Sequence, residues 1–445
     1  MSTPRFRKRT GRLRKAFGAL SLLPLVLMAC GTSTPSKQAV TFPSTQLTIT
    51  VWDTVEPTKL KWMQDTIIPA YQKLHPNITI NYQQIPQATL EPKEFVTLGN
   101  GTAADVMTMA GYDLPVVYPK NVLSPAEDQD FNGGVQGIVN SYLPGLLSPL
   151  MYNGKLYGLP VQMNSYSLAE NNSEFAAAGL DPIKDAPKTW DDLLALSKKL
   201  TKTDANGHVV QKGFDWRFTA GDHWLTDTFN IFEYQLGGQI FDAQGNPTFN
   251  DPNATKAMEL IKELTSPAPS VSHNSSASPY ADFASGQDAM ALGGPNMGSV
   301  VDVTNPQMVG NYTYVAEPQL NPSTPANYSY SFDMIVNGSI SSDKQRVAWD
   351  FTNFALSNSA GWFNATRMLQ PHVNWYQAAP AKDTQGIAVF VHDLAIAKPA
   401  PRTPLYIQYQ TIIASSIQKI VLNGAQIQST LEAGVQAYKL AQSQA

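Results

Sequence analysis

The sequence predicts an α/β protein with largely parallel sheets, because strand-like runs alternate with amphipathic helices along most of the chain. The chain has 445 residues, of which 43% are hydrophobic and 15% are charged. This composition excludes an intrinsically disordered chain and leaves enough apolar surface for large packed cores. At about 150 residues per domain, the length alone allows roughly three domains.

Ordered structure is expected to begin at Leu47, where alternating apolar and polar residues are typical of a strand. Similar strand-like runs follow further along the chain, at residues 78–80, 105–109, 289–292, 312–315 and 334–336. The segments between them carry the spacing of buried helices, with apolar residues three and four positions apart. The alternation of the two patterns is what favours the α/β class.

Several helix starts are marked by their capping residues. The sequence shows three such signals: a cap at Asp251 ahead of Pro252, a capping box of Thr189 with Asp192, and a polar start at Ser342 or Asp343. Near the carboxyl end, two further amphipathic helices are predicted on either side of Gly424, because glycine commonly ends a helix.

The first 29 residues have the composition of a secretory signal peptide. Their first 15 residues hold seven of the 31 basic residues of the chain and no acidic one. The other fourteen, residues 16–29, form an apolar stretch. That stretch is shorter than the ~20 residues that a membrane-spanning helix needs. The tetrad Leu27-Met28-Ala29-Cys30 resembles the bacterial lipobox, so Cys30 is predicted to carry a lipid. Residues 30–46, rich in Ser, Thr and Pro, are expected to be a flexible linker.

Charge and cysteine content exclude several classes of function. Beyond residue 29 the chain has 24 basic and 35 acidic residues, a net charge of −11, whereas nucleic-acid binding relies on clustered Lys and Arg. The single cysteine excludes a disulfide scaffold and a cysteine-ligated zinc site. No nucleophile elbow, phosphate-binding loop or zinc-protease motif occurs, and the six histidines are scattered. We therefore expect no catalysis, no metal and no cofactor.

Aromatic residues make up 10% of the chain and often stand beside Asn, Gln, Asp or Gly. An aromatic ring packs on the apolar face of a sugar, while amides and carboxylates bind its hydroxyls. Ligands of α/β proteins bind at the carboxyl ends of strands, which favours Trp52, Tyr112 and Trp224 as binding residues. A lipid-anchored glycoside hydrolase stays open at this point, because its two carboxylates are usually distant in sequence.

Several motifs occur in a specific order: Y-N-G-K-L-Y-G-L-P at 152–160, F-A-A-A-G-L-D-P at 175–182, P-K-T-W-D-D-L at 187–193 and F-A-S-G-Q-D-A-M at 283–290. Together they resemble the extracellular solute-binding proteins (family 1) of ABC importers, which include maltose-, multiple-sugar- and glycerol-3-phosphate-binding proteins. The resemblance extends from about residue 47 to 440. Glycerol-3-phosphate binders carry a G-L-R segment where this chain has Pro404 to Ile407, which argues against a phosphorylated ligand.

The resemblance implies a two-lobe periplasmic-binding-protein fold of type II, with lobes joined by crossing hinge strands. Lobe one is expected at 47–162 and 308–358, and lobe two at 163–307 and 359–445. Hinges are expected near residues 161–164 and 294–304. The implied protein is a monomer that is held at the outer face of the cell membrane by its lipid. It binds a carbohydrate, expected to be an oligosaccharide, and delivers it to the ABC permease subunits.

The same resemblance places the ligand between the lobes. The residues predicted to line this cleft are Trp52, Asp53, Tyr112, Asn164, Trp216, Trp224, Asn296, Tyr330, Phe332 and Tyr406. The aromatic residues are expected to stack on sugar rings, and the polar residues to bind hydroxyls. A glycerol-3-phosphate or other polar-solute binding protein is the alternative. A lipid-anchored glycoside hydrolase and a non-transporting adhesin or sensor are further alternatives.

Overall fold

The computed structural model describes residues 43–215, 221–265, 271–272, 279–370, 372–377 and 386–444. All of them belong to one compact unit, Ala39–Ala445. The predicted signal peptide, Cys30, most of the linker and Trp216 lie outside the described residues.

The strands of the described chain form two large sheets and one small hairpin. In chain order they are β1 (Leu47–Thr54), β2 (Ile78–Ile85), β3 (Val106–Ala110), β4 (Met151–Tyr152), β5 (Lys155–Leu156), β6 (Gly158–Ser165), β7 (Ser167–Asn171), β8 (Lys202–Thr203), β9 (Val209–Asp215), β10 (Val271–Ser272), β11 (Asp288–Gly293), β12 (Tyr312–Val315), β13 (Asn327–Val336) and β14 (Ala397–Pro399).

The helices between these strands cover the faces of the sheets. In chain order they are α1 (Pro57–Trp62), α2 (Ile68–Leu74), α3 (Gln87–Asn100), α4 (Leu114–Val117), α5 (Gly134–Ser141), α6 (Asn172–Ala177), α7 (Trp190–Leu200), α8 (Asp222–Gln235), α9 (Pro252–Leu264), α10 (Pro279–Ala284), α11 (Met297–Thr304), α12 (Ser342–Leu356), α13 (Ser359–Thr366), α14 (Val373–Gln377), α15 (Ile387–Ala395), α16 (Tyr406–Asn423) and α17 (Ile427–Gln444). None of the described helices combines the length and apolar character that crossing a membrane requires.

The first sheet forms the centre of lobe one, in the order β14-β13-β3-β1-β2, with β6 also paired to β13. β1 runs parallel to β2 and β3, whereas β13 runs antiparallel to β3 and β6. Side chains such as Val51, Val106 and Ile335 are fully buried in its core, together with Trp349 of α12. The carboxyl ends of β1 and β3 therefore lie at one edge of a rigid layer.

The second sheet forms the centre of lobe two, in the order β10-β9-β11-β7-β12, with β8 paired to β9. Alternate residues of β7 enter different cores, since Leu168 packs with α7, α8 and α9 and Ala169 packs with α10, α11 and α15. Helices thus cover both faces of the sheet, which explains why every residue of β7 is buried.

The two sheets are connected by strands that pass from one to the other. β6 belongs to the first sheet and β7, after the single residue Tyr166, to the second. The chain returns between β12, in the second sheet, and β13, in the first. Because each connecting strand enters a sheet from the other lobe, it runs antiparallel to some neighbours. Both sheets are mixed, and the prediction of largely parallel sheets is wrong in this respect.

Three boundaries predicted from the sequence also differ from the structure. Lobe two was expected to include residues 359–445, but Trp362 and Met368 pack in the core of lobe one. Residues 308–326 were expected in lobe one, but β12 pairs with β7 of the second sheet. A hinge was expected near 294–304, but that segment leads into α11, whose Met297 and Val301 pack in the core of lobe two. The passages between the sheets lie instead at Tyr166 and between β12 and β13.

The local signals read from the sequence correspond to observed elements. The strand predicted at 312–315 has the bounds of β12, and Asp251 caps α9 through a hydrogen bond from Ala254 N of 2.8 Å. The capping box of Thr189 with Asp192 is present at the start of α7. Gly424 follows α16 with a φ of 67°, a left-handed conformation that glycine adopts without strain. These predictions are confirmed.

Candidate functional site

A cleft of about 600 Å³, including the part open to solvent, lies between the two lobes. Lobe one contributes residues just beyond the carboxyl end of β1 and the start of α3. Lobe two contributes the starts of α8 and α10 and the turn before α11. The lining residues are Thr54, Val55, Glu56, Gln87, Gln162, His223, Trp224, Tyr280, Asn296, Tyr330, Phe332 and Met368.

Four of the predicted binding residues, Trp224, Asn296, Tyr330 and Phe332, belong to this lining. Trp224 lies in the first turn of α8 and is half-buried, so part of its ring is open to the cleft. Its ring meets the ring of Tyr280 edge to face, with centroids 6.5 Å apart. This contact fixes the orientation of Trp224 and leaves it suited to stacking on a ligand.

Two asparagine side chains converge beside Gly294 at the base of the cleft. A Cβ atom added to Gly294 would lie 3.0 Å from Oδ1 of Asn296 and 3.3 Å from Oδ1 of Asn164. Asn164 lies on β6 opposite Tyr330 and is fully buried, yet neither Oδ1 nor Nδ2 has a hydrogen-bond partner among the described residues. Buried amides usually have partners, so this pair is suited to the hydroxyl groups of a ligand.

Trp52 and Asp53 lie at the carboxyl end of β1 and are already bound to other groups of lobe one. The ammonium of Lys93 lies 3.6 Å from the centroid of the Trp52 ring, a cation–π contact that covers one face. The carboxylate of Asp53 is fully buried and accepts hydrogen bonds of 2.6 Å from both Lys59 Nζ and Tyr82 Oη. Both residues thus support the end of β1 beside the cleft.

Tyr112 and Tyr406 form a contact between the lobes. Tyr112 follows β3 of lobe one, Tyr406 begins α16 of lobe two, and their rings stack with centroids 4.8 Å apart. Tyr406 is fully buried and Tyr112 is 5% exposed. The structure places this pair in packed surroundings, outside the residues that line the cleft.

Glu56 is a cleft residue that the sequence analysis missed. Its Oε1 accepts a hydrogen bond of 3.3 Å from Ser299 Oγ of α11, so it connects lobe one with lobe two. Gln84 holds its backbone with two hydrogen bonds of 3.1 Å. Burial raises the pKa of the Glu56 carboxyl, and the nearby Lys59 partly offsets this. Its position shortly after the strand predicted to begin at Leu47 was the available signal.

A group of three acidic residues lies elsewhere in lobe two. Oxygen atoms of Asp215, Asp282 and Asp288 lie within 4.8 Å of one another, as a metal site requires. The ammonium of Lys212 contacts Asp215 and lies 3.4 Å from Asp288 and 3.8 Å from Asp282. The protein's own cation therefore occupies the position where a metal ion would bind.

The fold of two α/β lobes joined by crossing strands, with a polar and aromatic cleft between them, is that of type II periplasmic-binding proteins. The model of the bacterial extracellular solute-binding protein family matches residues 55–362, more than half of the chain. The chain belongs to this family. The members of the family are binding proteins, and its description places them outside the cytoplasm.

Solved structures with the same fold include a solute-binding protein of an ABC transporter from Thermotoga lettingae bound with α-D-tagatose. It has a TM-score of 0.77 and 21% identity, over 87% of this chain and 98% of that chain. An ABC substrate-binding protein from Listeria monocytogenes in complex with cycloalternan has a TM-score of 0.72 and 20% identity, over 89% of this chain and 99% of that chain. At these sequence identities the structural similarity shows that this chain has the same fold as those two proteins.

Sequence relatives match a shorter stretch. An uncharacterized ABC transporter extracellular-binding protein from Pyrococcus horikoshii is 28% identical over 266 residues, 54% of this chain and 56% of the relative. The arabinooligosaccharide-binding protein of Bacillus subtilis is 23% identical over 220 residues, 47% of this chain and 43% of the relative. The chain thus spans about half the length of these curated relatives.

Proposed function

We propose that the protein is the lipid-anchored, extracytoplasmic substrate-binding component of an ABC importer, and that it binds an oligosaccharide in the cleft. The observation that carries this proposal is the composition of the cleft lining. It combines the aromatic rings of Trp224, Tyr330 and Phe332 with the amide of Asn296, the groups that sugar rings and their hydroxyls require. The amide of Asn164 lies behind this lining, beside Asn296 at Gly294.

The two lobes supply different parts of this site, so a ligand that is bound between them stabilises the form in which the lobes are close together. Lobe one presents Glu56 and Gln87, whereas lobe two presents Trp224 and Asn296. A ligand that contacts both sides binds the closed form more strongly than the open form, and this difference in affinity shifts the equilibrium towards closure. In this proposal the closed form is the one that the permease subunits recognise.

The lining favours a carbohydrate over the alternatives. A bidentate cation favours binding of a phosphorylated solute, and the described lining residues include neither Arg nor Lys. A glycoside hydrolase requires two carboxyl groups facing the cleft, and the described lining includes one, Glu56. Retention at the membrane follows from the predicted signal peptide and Cys30.

A thermal-shift screen against mono- and oligosaccharides, with calorimetry of each ligand found, tests the proposal. A ligand at 100 times its dissociation constant stabilises the folded protein by about 2.7 kcal/mol. We expect stabilisation by at least one neutral or basic oligosaccharide and none by glycerol 3-phosphate. Stabilisation by the phosphorylated solute alone, or time-dependent shortening of a bound oligosaccharide, would contradict the assignment.

A further inference from the structure

The lining of the cleft includes an amide that the proposed site does not use, that of Gln162. Gln162 lies on β6, one of the strands that cross between the lobes. It is 6% exposed, and its amide makes no hydrogen bond within the described part of the chain, with Oε1 buried and unpartnered. A buried amide without a partner is unfavourable, so this group is suited to bind a ligand.

The other side-chain amides of the described lining have roles already. Gln87 donates a hydrogen bond of 2.7 Å to Glu91 Oε1, and Asn296 belongs to the proposed site. Gln162 also differs from both in position. Gln87 begins α3 of lobe one and Asn296 precedes α11 of lobe two, whereas β6 connects the lobes. A ligand that binds Gln162 therefore contacts the base of the cleft as well as its two sides.

The neighbouring strand β13 places two aromatic rings of the lining beside this amide. Phe332 is paired with Gln162, and Tyr330 lies two residues away on the same face of β13. Paired residues of antiparallel strands have Cβ atoms about 5 Å apart on one face of the sheet. The two rings are half-buried and meet edge to face, with centroids 6.0 Å apart. A sugar ring that stacks on either of them directs the hydroxyls of one edge towards β6.

β6 is irregular at the residue before Gln162. The register with β13 skips Val161, which makes this residue a β-bulge. The carbonyl of Val161 instead accepts a hydrogen bond of 3.3 Å from Gln370 Nε2. On the other side of Gln162, Met163 N donates a hydrogen bond of 2.9 Å to Leu369 O. Bulges often occur beside functional sites, where they re-aim a side chain. Gln162 is thus held between two anchored residues and directed into the cleft.

A hydroxyl group matches the chemistry of this amide. The carbonyl oxygen of glutamine accepts hydrogen bonds and its NH₂ group donates them, and a hydroxyl does both. An ammonium group can only donate and a carboxylate can only accept, so each would leave one side of the amide unpaired.

Resting on the proposed function, we propose that Gln162 is a specificity-determining residue of the cleft. Its amide binds one hydroxyl on the inner edge of a sugar ring that stacks on Tyr330 or Phe332. The cleft then selects carbohydrates with a free hydroxyl at this position. It rejects the deoxy and O-methyl forms, because each of them leaves a buried polar group unpaired.

Calorimetry on the purified full-length chain tests this proposal with matched ligands. The probes are gluco-, galacto- and manno-configured disaccharides, together with the analogues of each in which one hydroxyl is replaced by hydrogen or by a methoxy group. For at least one disaccharide we expect a hydroxyl position at which either change weakens binding by about tenfold or more. The same changes at positions that face solvent should have little effect.

Variants assign this effect to Gln162. Gln162→Met has a side chain of similar length without the amide, and should bind the unmodified disaccharide about tenfold more weakly than the wild type does. The deoxy analogue should bind this variant as tightly as the unmodified sugar does, because an apolar side chain then faces an apolar carbon. Gln162→Ala provides the same comparison if the methionine variant does not fold. Gln211→Met, on β9 of lobe two and also at 6% exposure, is the matched control and should keep the wild-type preference.

The outcomes separate this inference from the proposed function. Equal affinity for each disaccharide and all of its analogues would overturn the inference and leave the proposed function standing. A preference for the free hydroxyl that Gln162→Met and Gln162→Ala retain would remove Gln162 from the recognition of the sugar. Binding of none of these probes would also overturn the inference, and stabilisation by none of the carbohydrates in the thermal-shift screen would overturn both proposals.

Discussion

Replacing Asp393 by asparagine is expected to stabilise the protein, and increasingly so as the pH rises from about 4 to about 7. Asp393 is fully buried on α15, where its Oδ2 accepts hydrogen bonds of 2.6 Å from Ser167 Oγ and 3.3 Å from Glu317 N. Ser167 begins β7, and Glu317 lies between β12 and β13. The carboxyl group therefore holds the two crossing connections together.

The magnitude follows from the pKa of this carboxyl. Burial raises it from 3.8 to about 6, against the smaller opposing effects of hydrogen bonds from Ser167 and His392. The folded state thus keeps a proton that the unfolded chain releases near pH 4, and wild-type stability falls as the pH rises through this window. A difference of about 2 pH units corresponds to about 3 kcal/mol.

Asparagine cannot ionise, so the variant does not lose this stability as the pH rises. Its amide oxygen can accept the hydrogen bonds from Ser167 and Glu317, and its NH₂ group can donate to Nδ1 of His392, which lies 3.0 Å from the carboxylate in the wild type. The other ionisable group facing Asp393 is the buried carboxyl of Glu317, whose pKa is raised by burial and then by Asp393. Removing the charge of Asp393 relieves its repulsion with Glu317, which further increases the stability of the variant relative to the wild type.

The measurement is urea unfolding of the wild type and Asp393→Asn at pH 4, 5, 6, 7 and 8. Asp191→Asn, an exposed aspartate on α7, serves as the control. We expect the difference in unfolding free energy between Asp393→Asn and the wild type to grow by about 2.5 kcal/mol between pH 4 and pH 8, because the unfolded aspartate is already partly ionised at pH 4. A difference that is independent of pH, or one no larger than that of Asp191→Asn, would refute the reasoning.

Three further predictions concern the cleft and the anchor. Trp224→Ala should weaken oligosaccharide binding by about 1–3 kcal/mol in calorimetry and leave the melting temperature of the empty protein nearly unchanged; unchanged affinity would assign the ring to packing alone. Asn296→Ala should cost about 1–2 kcal/mol of binding through lost hydroxyl contacts, and equal affinity would remove Asn296 from the site. Cys30→Ala should abolish incorporation of labelled fatty acid, and a mature-length lipoprotein in the membrane fraction would disprove the lipobox interpretation.

Elements with local signals could be predicted from the sequence. The capping box of Thr189 with Asp192 and the cap at Asp251 act within three residues, so their chemistry is visible in the chain itself. The consecutive strands β6 and β7 were harder to recognise, because each of their residues is buried and the alternation that marks a strand is lost. The lobe to which β12 belongs depends on pairing with β7, which no local pattern records.

The predicted binding residues also divide into those with a local sequence signal and those whose contacts form only in the folded protein. Trp224 and Asn296 begin or precede helices that face the cleft, and their positions after strands were informative. Asp53 follows a strand in the same way, but Lys59 and Tyr82 bind its carboxylate, and these contacts form only once α1 and β2 pack against β1. Tyr406 starts a helix whose burial depends on lobe two as a whole.

Small-angle scattering of the protein, empty and saturated with an oligosaccharide that calorimetry shows to bind, tests the central claim most directly. Lobes joined by crossing strands are expected to rotate about them and to close when Glu56 and Trp224 contact the same ligand. The account predicts a smaller radius of gyration on saturation, with the sugar recovered unaltered. An unchanged radius with a tightly bound sugar, or shortened products that accumulate with time, would contradict it.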